Sequence, residues 1–193
     1  MSDQDLIMPS RRAMLGTAGR TLSLAGIAMV ASGCTGITSP ASADETESDV
    51  QILNAAIALE HEGIAAYQIA ATSGLLDPAV VDIGVTFQGH HKGHRDELVK
   101  AVQSLGGVAA EEQSLEHYAT ALDAASLTNQ TDVLRLALRL ETGAANAYLG
   151  LIPSLGNDYH QIAARMAGDE AFHAAILANA LGDPIPTAPL IFG

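Results

Sequence analysis

The chain has no tryptophan, only three phenylalanines and four tyrosines, and a single cysteine. That one thiol, Cys34, rules out an intrachain disulfide, and without a Cys-x-x-Cys pair there is no thiolate cluster for zinc or redox chemistry. Basic residues are also scarce: nine Lys and Arg stand against 22 Asp and Glu, a formal net charge of −13. Such a balance removes the usual electrostatic source of affinity for DNA or RNA, so nucleic acid is not an expected partner. Long apolar runs are missing as well. The most apolar stretch, Thr21 to Gly33, is too short to span a bilayer as a lasting helix. What remains is a chain that is 48% hydrophobic and 16% charged, with Ala, Leu and Ile in place of aromatics, β-branched runs or alternation. That composition favours helix, and 193 residues suffice for one domain with accessories.

The first 43 residues read as an address. Ser10-Arg11-Arg12-Ala13-Met14-Leu15 is a twin-arginine pattern, followed by the uncharged segment from Thr21 to Gly33 as the h-region of a signal peptide. Two endings compete. Ala31-Ser32-Gly33-Cys34 resembles a lipobox, which would leave lipid on Cys34 as the only membrane attachment. Ala41-Ser42-Ala43 is a small-x-small cleavage site, which would remove Cys34 with the signal. Thr35 to Asp49, rich in Ser, Thr, Pro and acids, is expected to be a tether, with 44–49 as the linker left after cleavage. By resemblance, twin-arginine signals export folded proteins, commonly those that acquire a cofactor in the cytoplasm, and the expected location is the periplasm or envelope.

From Val50 to Ser73, Ile52, Leu53, Ala56, Leu59, Ile64, Tyr67 and Ala71 recur at spacings of three to five, the period of an amphipathic helix. A second helix is predicted from Asp77-Pro78 to the Gly106-Gly107 stop. About two dozen residues then form a partly helical crossover, long enough to pass from one end of a bundle to the other. A third helix is predicted from near Thr131-Asp132 to about Pro153, and a fourth from near Asn157-Asp158 to Gly182-Asp183-Pro184. The domain thus runs over 50–182, and Pro184, Pro186 and Pro189 make 183–193 an extended tail.

The two halves repeat. Leu59-Glu60 followed by Tyr67 returns as Leu140-Glu141 followed by Tyr148, so Glu-x6-Tyr stands on the first and third helices. Residues seven apart lie about 20° apart around a helix, which puts each Glu and its Tyr on one face. His91-x-x-His94 with Leu98 on the second helix matches Glu170-x-x-His173 with Leu177 on the fourth. At about 60° apart, both members of each pair can point inward. Carboxylates buried in an Ala/Leu bundle cost several kcal/mol unless paired or bound to a cation, so inward-facing Glu60, Glu141 and Glu170 call for a divalent metal. Imidazole with carboxylate suits iron, manganese or zinc.

These motifs resemble the ferritin-like superfamily, among it the exported bacterial domains related to desiccation proteins, over roughly Val50 to Gly182. The resemblance implies an all-α, ferritin-like four-helix bundle with one long crossover between helices two and three. It implies Glu60 and Glu141 as terminal carboxylate ligands, Glu170 as a bridging carboxylate and His94 and His173 as imidazole ligands. Tyr67 and Tyr148 would hydrogen-bond the ligating carboxylates. One position departs: His91 stands where a second bridging Glu belongs, and Gln88 three residues earlier does not restore it. One or two ions of iron or manganese are therefore both open. So is the choice between His90 and His91 as the inward residue.

His61 and Glu62 lie about 100° and 200° from Glu60 around the helix and are expected at the surface or beside the site. His117 and His160 lack helical partners and are expected to be non-ligands. The function implied is oxidoreductase or metal-handling chemistry with oxygen or peroxide. The alternative is a non-catalytic envelope bundle for stress or desiccation tolerance that binds no metal, its Glu and His groups satisfying one another.

Overall fold

The computed structural model describes residues 43–193, which form an all-helical bundle: α1 (Ala43–Thr72), α2 (Pro78–Ser104), α3 (Leu115–Ala121), α4 (Gln130–Leu151) and α5 (Asn157–Ala180). The proposed signal peptide and the Cys34 lipobox lie outside the described residues. Helices α1 and α2 pack as one hairpin, α4 and α5 as another, and α1 also meets α4. Among the described residues no helix is long and apolar enough to cross a membrane.

The two hairpins end alike. After α2, Gly106 takes a left-handed φ of 76° and the Gly107 amide returns to the Val102 carbonyl at 2.9 Å; after α5, Gly182 takes φ 71° and the Asp183 amide returns to Ala178 at 3.0 Å. Both stops are the doubly hydrogen-bonded glycine caps that the Gly106 and Gly182 signals predict. Pro78 opens α2 at a position where a missing amide hydrogen costs nothing. At α4 the cap is Asn129, whose side chain accepts from the Asp132 amide, so the helix starts slightly before the expected Thr131-Asp132.

The crossover runs from Gly107 to Asn129 and contains α3 and a short 3-10 turn, Ala124–Ser126. Asn54 on α1 pins it by donating to the Val108 carbonyl at 2.9 Å and accepting from the Ala110 amide at 2.7 Å.

Residues 44–49 are the opening turns of α1 and not a linker. Asp44 and Glu45 suit the positive end of a helix. Asp49 accepts from the Gly156 amide at 2.9 Å, tying the helix to the start of α5. Gly156 is needed for that approach, since a Cβ there would lie 2.6 Å from Asp49 Oδ2.

The core divides into two apolar clusters. One gathers Ile52, Leu53, Ile57, Leu98, Val102, Tyr148 and Met166; the other gathers Tyr67, Phe87, Leu134 and Leu177. Along every long helix the polar residues of the centre, one glutamate on α1 and α4 and a pair on α2 and α5, fall between residues of the two clusters. The sequence therefore places a polar layer between two dry ones.

Candidate metal centre

The polar layer holds six side chains: Glu60 from α1, His91 and His94 from α2, Glu141 from α4, and Glu170 and His173 from α5. All are buried, and the three carboxylates expose at most 1% of their surface. Their donor atoms form two overlapping sets, Glu60-His91-His94-Glu170 and His91-Glu141-Glu170-His173, in each of which the atoms lie within 4.8 Å of one another. His91 and Glu170, equivalent positions of the repeat, are the two members common to both sets.

His91 resolves the choice left open by the sequence: its ring enters the centre, with Nδ1 2.7 Å from Glu60 Oε2 and Nε2 3.3 Å from Glu141 Oε1. His94 Nδ1 donates to Glu170 Oε1 at 3.0 Å, and His173 Nδ1 to Glu170 Oε2 at 3.1 Å. Gln88 takes no part and donates instead to the Ile64 carbonyl.

The repeat acts reciprocally. Tyr67 of α1 donates to Glu141 of α4, and Tyr148 of α4 donates to Glu60 of α1. Sequence spacing puts each tyrosine on the face of its own glutamate; antiparallel packing of the two helices delivers it to the other one. The outer nitrogens of the histidines follow the same rule. His94 Nε2 meets Asp169 Oδ2 at 3.1 Å, while His173 Nε2 meets His90 Nδ1 at 2.9 Å. His90 and Asp169 immediately precede the equivalent positions 91 and 170. Asp169 was not singled out by the sequence reading, although the repeat itself carried the signal. The imidazoles of His94 and His173 are thus held from outside, each with its Nδ1 turned toward the carboxylates, the arrangement by which an outer partner fixes the tautomer and aim of a ligating histidine.

Gly63 supplies the room. A Cβ at that position would come within 2.9 Å of His91 Nδ1 and 3.0 Å of Cε1, and its counterpart in the second half is Ala144. Glycine inside α1 costs helix stability, and here it admits a ring where the other half has the slimmer Glu170. Gly63→Ala is expected to push His91 off Glu60 and lower stability by about 1–3 kcal/mol, measured from the urea midpoint. An unchanged midpoint would mean the ring can shift freely.

Burial sets the electrostatic problem and the pairings answer it. Burial alone would raise Glu60, but hydrogen bonds and charge from His91 and His94 bring its pKa below the usual value. The same contest, with His173 and His91 as partners, holds Glu141 well down. At Glu170 burial wins over His173 and His94, and the pKa rises. For the histidines, burial opposes the charged form, yet the carboxylates prevail: His94 is pushed up to about 10 by Glu170 and Glu60, and His91 and His173 also rise. Burial raises both tyrosines, with Glu141 adding to the rise at Tyr67 and Glu60 at Tyr148, so the phenols stay protonated donors.

This donor set fits a divalent cation: oxygen and imidazole nitrogen only, three carboxylates to neutralise it, and oriented histidines. A cation must displace protons that the carboxylates hold on the imidazoles. Affinity is therefore expected to rise with pH, by up to about tenfold per unit for each proton released, across the range below the raised pKa of His94. Titrations with Mn(II) at several pH values test the sign, and an affinity that falls with pH would contradict it.

Four other residues lie apart from the cluster. His61 is buried at 6% exposure, against the expectation of a surface place or one beside the site. The crossover covers it, and its Nε2 donates to the Ala110 carbonyl at 3.3 Å. Burial raises the pKa of the neighbouring Glu62. His160 bonds the Leu155 carbonyl, and His117 packs edge-on against Tyr118; neither belongs to a ligand set among the described residues.

The family model for the ferritin-like domain matches residues 48–183. A solved structure, that of a conserved hypothetical protein, rv2844, from Mycobacterium tuberculosis, aligns with 26% identity and a TM-score of 0.60, covering 75% of this chain and 98% of that one. No curated protein matches. With the family model spanning most of the chain, and a helical bundle whose buried Glu/His groups can hold a metal ion, this protein belongs to the ferritin-like domain family.

Proposed function

We propose that the protein is an exported iron- or manganese-binding bundle whose centre carries out oxidoreductase chemistry with dioxygen or peroxide. The observation that carries this reading is the joining of three fully buried carboxylates and three imidazoles in two overlapping sets. Two bound ferrous ions would supply two electrons, which with two protons reduce dioxygen to hydrogen peroxide or hydrogen peroxide to two waters. The chain's residues do the rest. Tyr67 and Tyr148 hold Glu141 and Glu60, Asp169 and His90 aim His94 and His173, and the apolar clusters above and below exclude water. His90 is exposed and bonded to buried His173, giving protons a hydrogen-bonded way between the centre and solvent.

Export rests on the twin-arginine pattern and the apolar stretch after it, and a lipid on Cys34 would fix the bundle at the envelope. To test the reaction, protein loaded with Fe(II) under anaerobic conditions is mixed with dioxygen or peroxide and its oxidation followed by absorbance. Oxidation faster than that of free Fe(II), and lost in Glu141→Ala, is expected. Oxidation no faster than that of the free ion would remove the enzymatic reading.

One observation favours a second reading. Every polar atom of the six side chains is already hydrogen-bonded within the cluster or at its rim. A bundle so satisfied can stand as a non-catalytic envelope protein of stress or desiccation tolerance. The two readings part on metal content.

A further inference from the structure

Beside the centre, where α1 and α5 finish and α2 and α4 begin, lies an apolar pocket of about 50 Å³, partly open to solvent past the half-exposed Ile83. Tyr67, Gly84, Phe87, Leu134, Ala137 and Leu177 are among the residues lining it, and apart from the Tyr67 hydroxyl its side chains are hydrocarbon. That hydroxyl is already committed to Glu141. Two rings of the lining are also walls of the centre: Tyr67 through this hydrogen bond, and Phe87 by stacking on His173 with centroids 4.1 Å apart. Part of the space exists because position 84 has no side chain. A Cβ there would meet only the Tyr67 ring, at 3.5 Å, with no clash.

The chemistry of the lining selects its occupant. Water needs two to four polar partners to stay in a cavity, and this one offers none that is free. Hydrogen peroxide, with two O–H donors and its own acceptors, faces the same desolvation cost. Benzene fills an apolar cavity of about 150 Å³, so the smaller space here suits a nonpolar diatomic or a xenon atom. We propose that this cavity takes up dioxygen and holds it against the Tyr67 and Phe87 wall of the Glu/His centre, making dioxygen rather than peroxide the oxidant. The inference rests on the redox reading of the centre given above and names its substrate.

Ala137→Leu fills the cavity, and Gly84→Ala narrows it while replacing a helical glycine by a better helix former. Neither changes a residue of the Glu/His cluster. Xenon uptake, followed by 129Xe NMR or in xenon-pressurised crystals, reads the cavity without reference to metal. Wild type is expected to take up xenon beside Tyr67 and Ala137→Leu to lose it, with Gly84→Ala between them. In Fe(II)-loaded protein, the filled variant should react with dioxygen about tenfold more slowly, the result expected when access limits the rate. Its iron content and its rate with peroxide should not change. If Ala137→Leu does not fold, Gly84→Ala carries the same comparison with a smaller slowing.

No xenon in wild type, or equal dioxygen rates in wild type and a variant that has lost xenon, would overturn the proposal and leave the redox reading standing. Xenon uptake by a protein that binds no iron would instead overturn the redox reading, and the dioxygen role with it.

Discussion

Glu170→Ala is expected to abolish stoichiometric metal binding, with affinity falling at least about a hundredfold. Glu170 is fully buried at the junction of both donor sets. It accepts from His94 at 3.0 Å and from His173 at 3.1 Å, and lies 3.6 Å from His91. No neighbouring carboxylate can take its place, because Glu60 and Glu141 are each held by a tyrosine of the opposite half. The truncation also takes away a buried acceptor from two imidazoles. A stability loss of about 3–5 kcal/mol is expected even before metal is added, read from denaturant unfolding. Glu170→Gln separates the two effects. It keeps the volume and one acceptor oxygen, so it should unfold closer to wild type yet still bind metal poorly. Wild-type stoichiometry in both variants would place the centre elsewhere.

His91→Glu is expected to raise the number of divalent ions held per chain. Three carboxylates neutralise one divalent ion fully and two only in part; a fourth would balance both. The position suits the change. His91 is shared by both donor sets, its two nitrogens face Glu60 and Glu141, and Gly63 sets no side chain against it. A glutamate is slimmer than the ring it replaces and matches Glu170 across the repeat, so no overpacking cost is expected. The same substitution removes the imidazole that holds Glu60 at 2.7 Å and leaves four carboxylates together, so the variant should be less stable without metal and gain more from its addition. Calorimetric titration with Mn(II), beside thermal melts with and without the ion, reads both effects. A stoichiometry equal to that of wild type would show that charge at position 91 does not set the number of ions.

The parts of the centre that one helix determines were legible in the sequence. Glu60 with Tyr67, His91 with His94, and Glu170 with His173 follow from angular spacing alone, and the repeat brought the two halves into correspondence. The glycine stops at Gly106 and Gly182 were equally local. What spacing on one helix does not contain is the register between helices. For that reason Tyr67 could be placed near a carboxylate but not assigned to Glu141, and Asp169 went unnoticed although it holds His94. His90 and His91 differ by only one residue, and the packing of α2 against α1 at Gly63 decides which ring enters. His61 shows the same limit. Its place on α1 suggested exposure or a seat beside the site, and the crossover, pinned by Asn54, buries it. At the start of α1, polar composition suggested a tether, while those residues are helix and Asp49 bonds the Gly156 amide, a contact across 107 positions that local composition does not contain.

The most direct test is elemental analysis of the protein purified from its native cells, giving metals per chain for wild type and Glu170→Ala side by side. One or two equivalents of iron or manganese are expected in the wild type and almost none in the variant. A wild type that holds no metal, even after anaerobic reloading, would contradict this and leave a structural bundle whose glutamates and histidines satisfy one another.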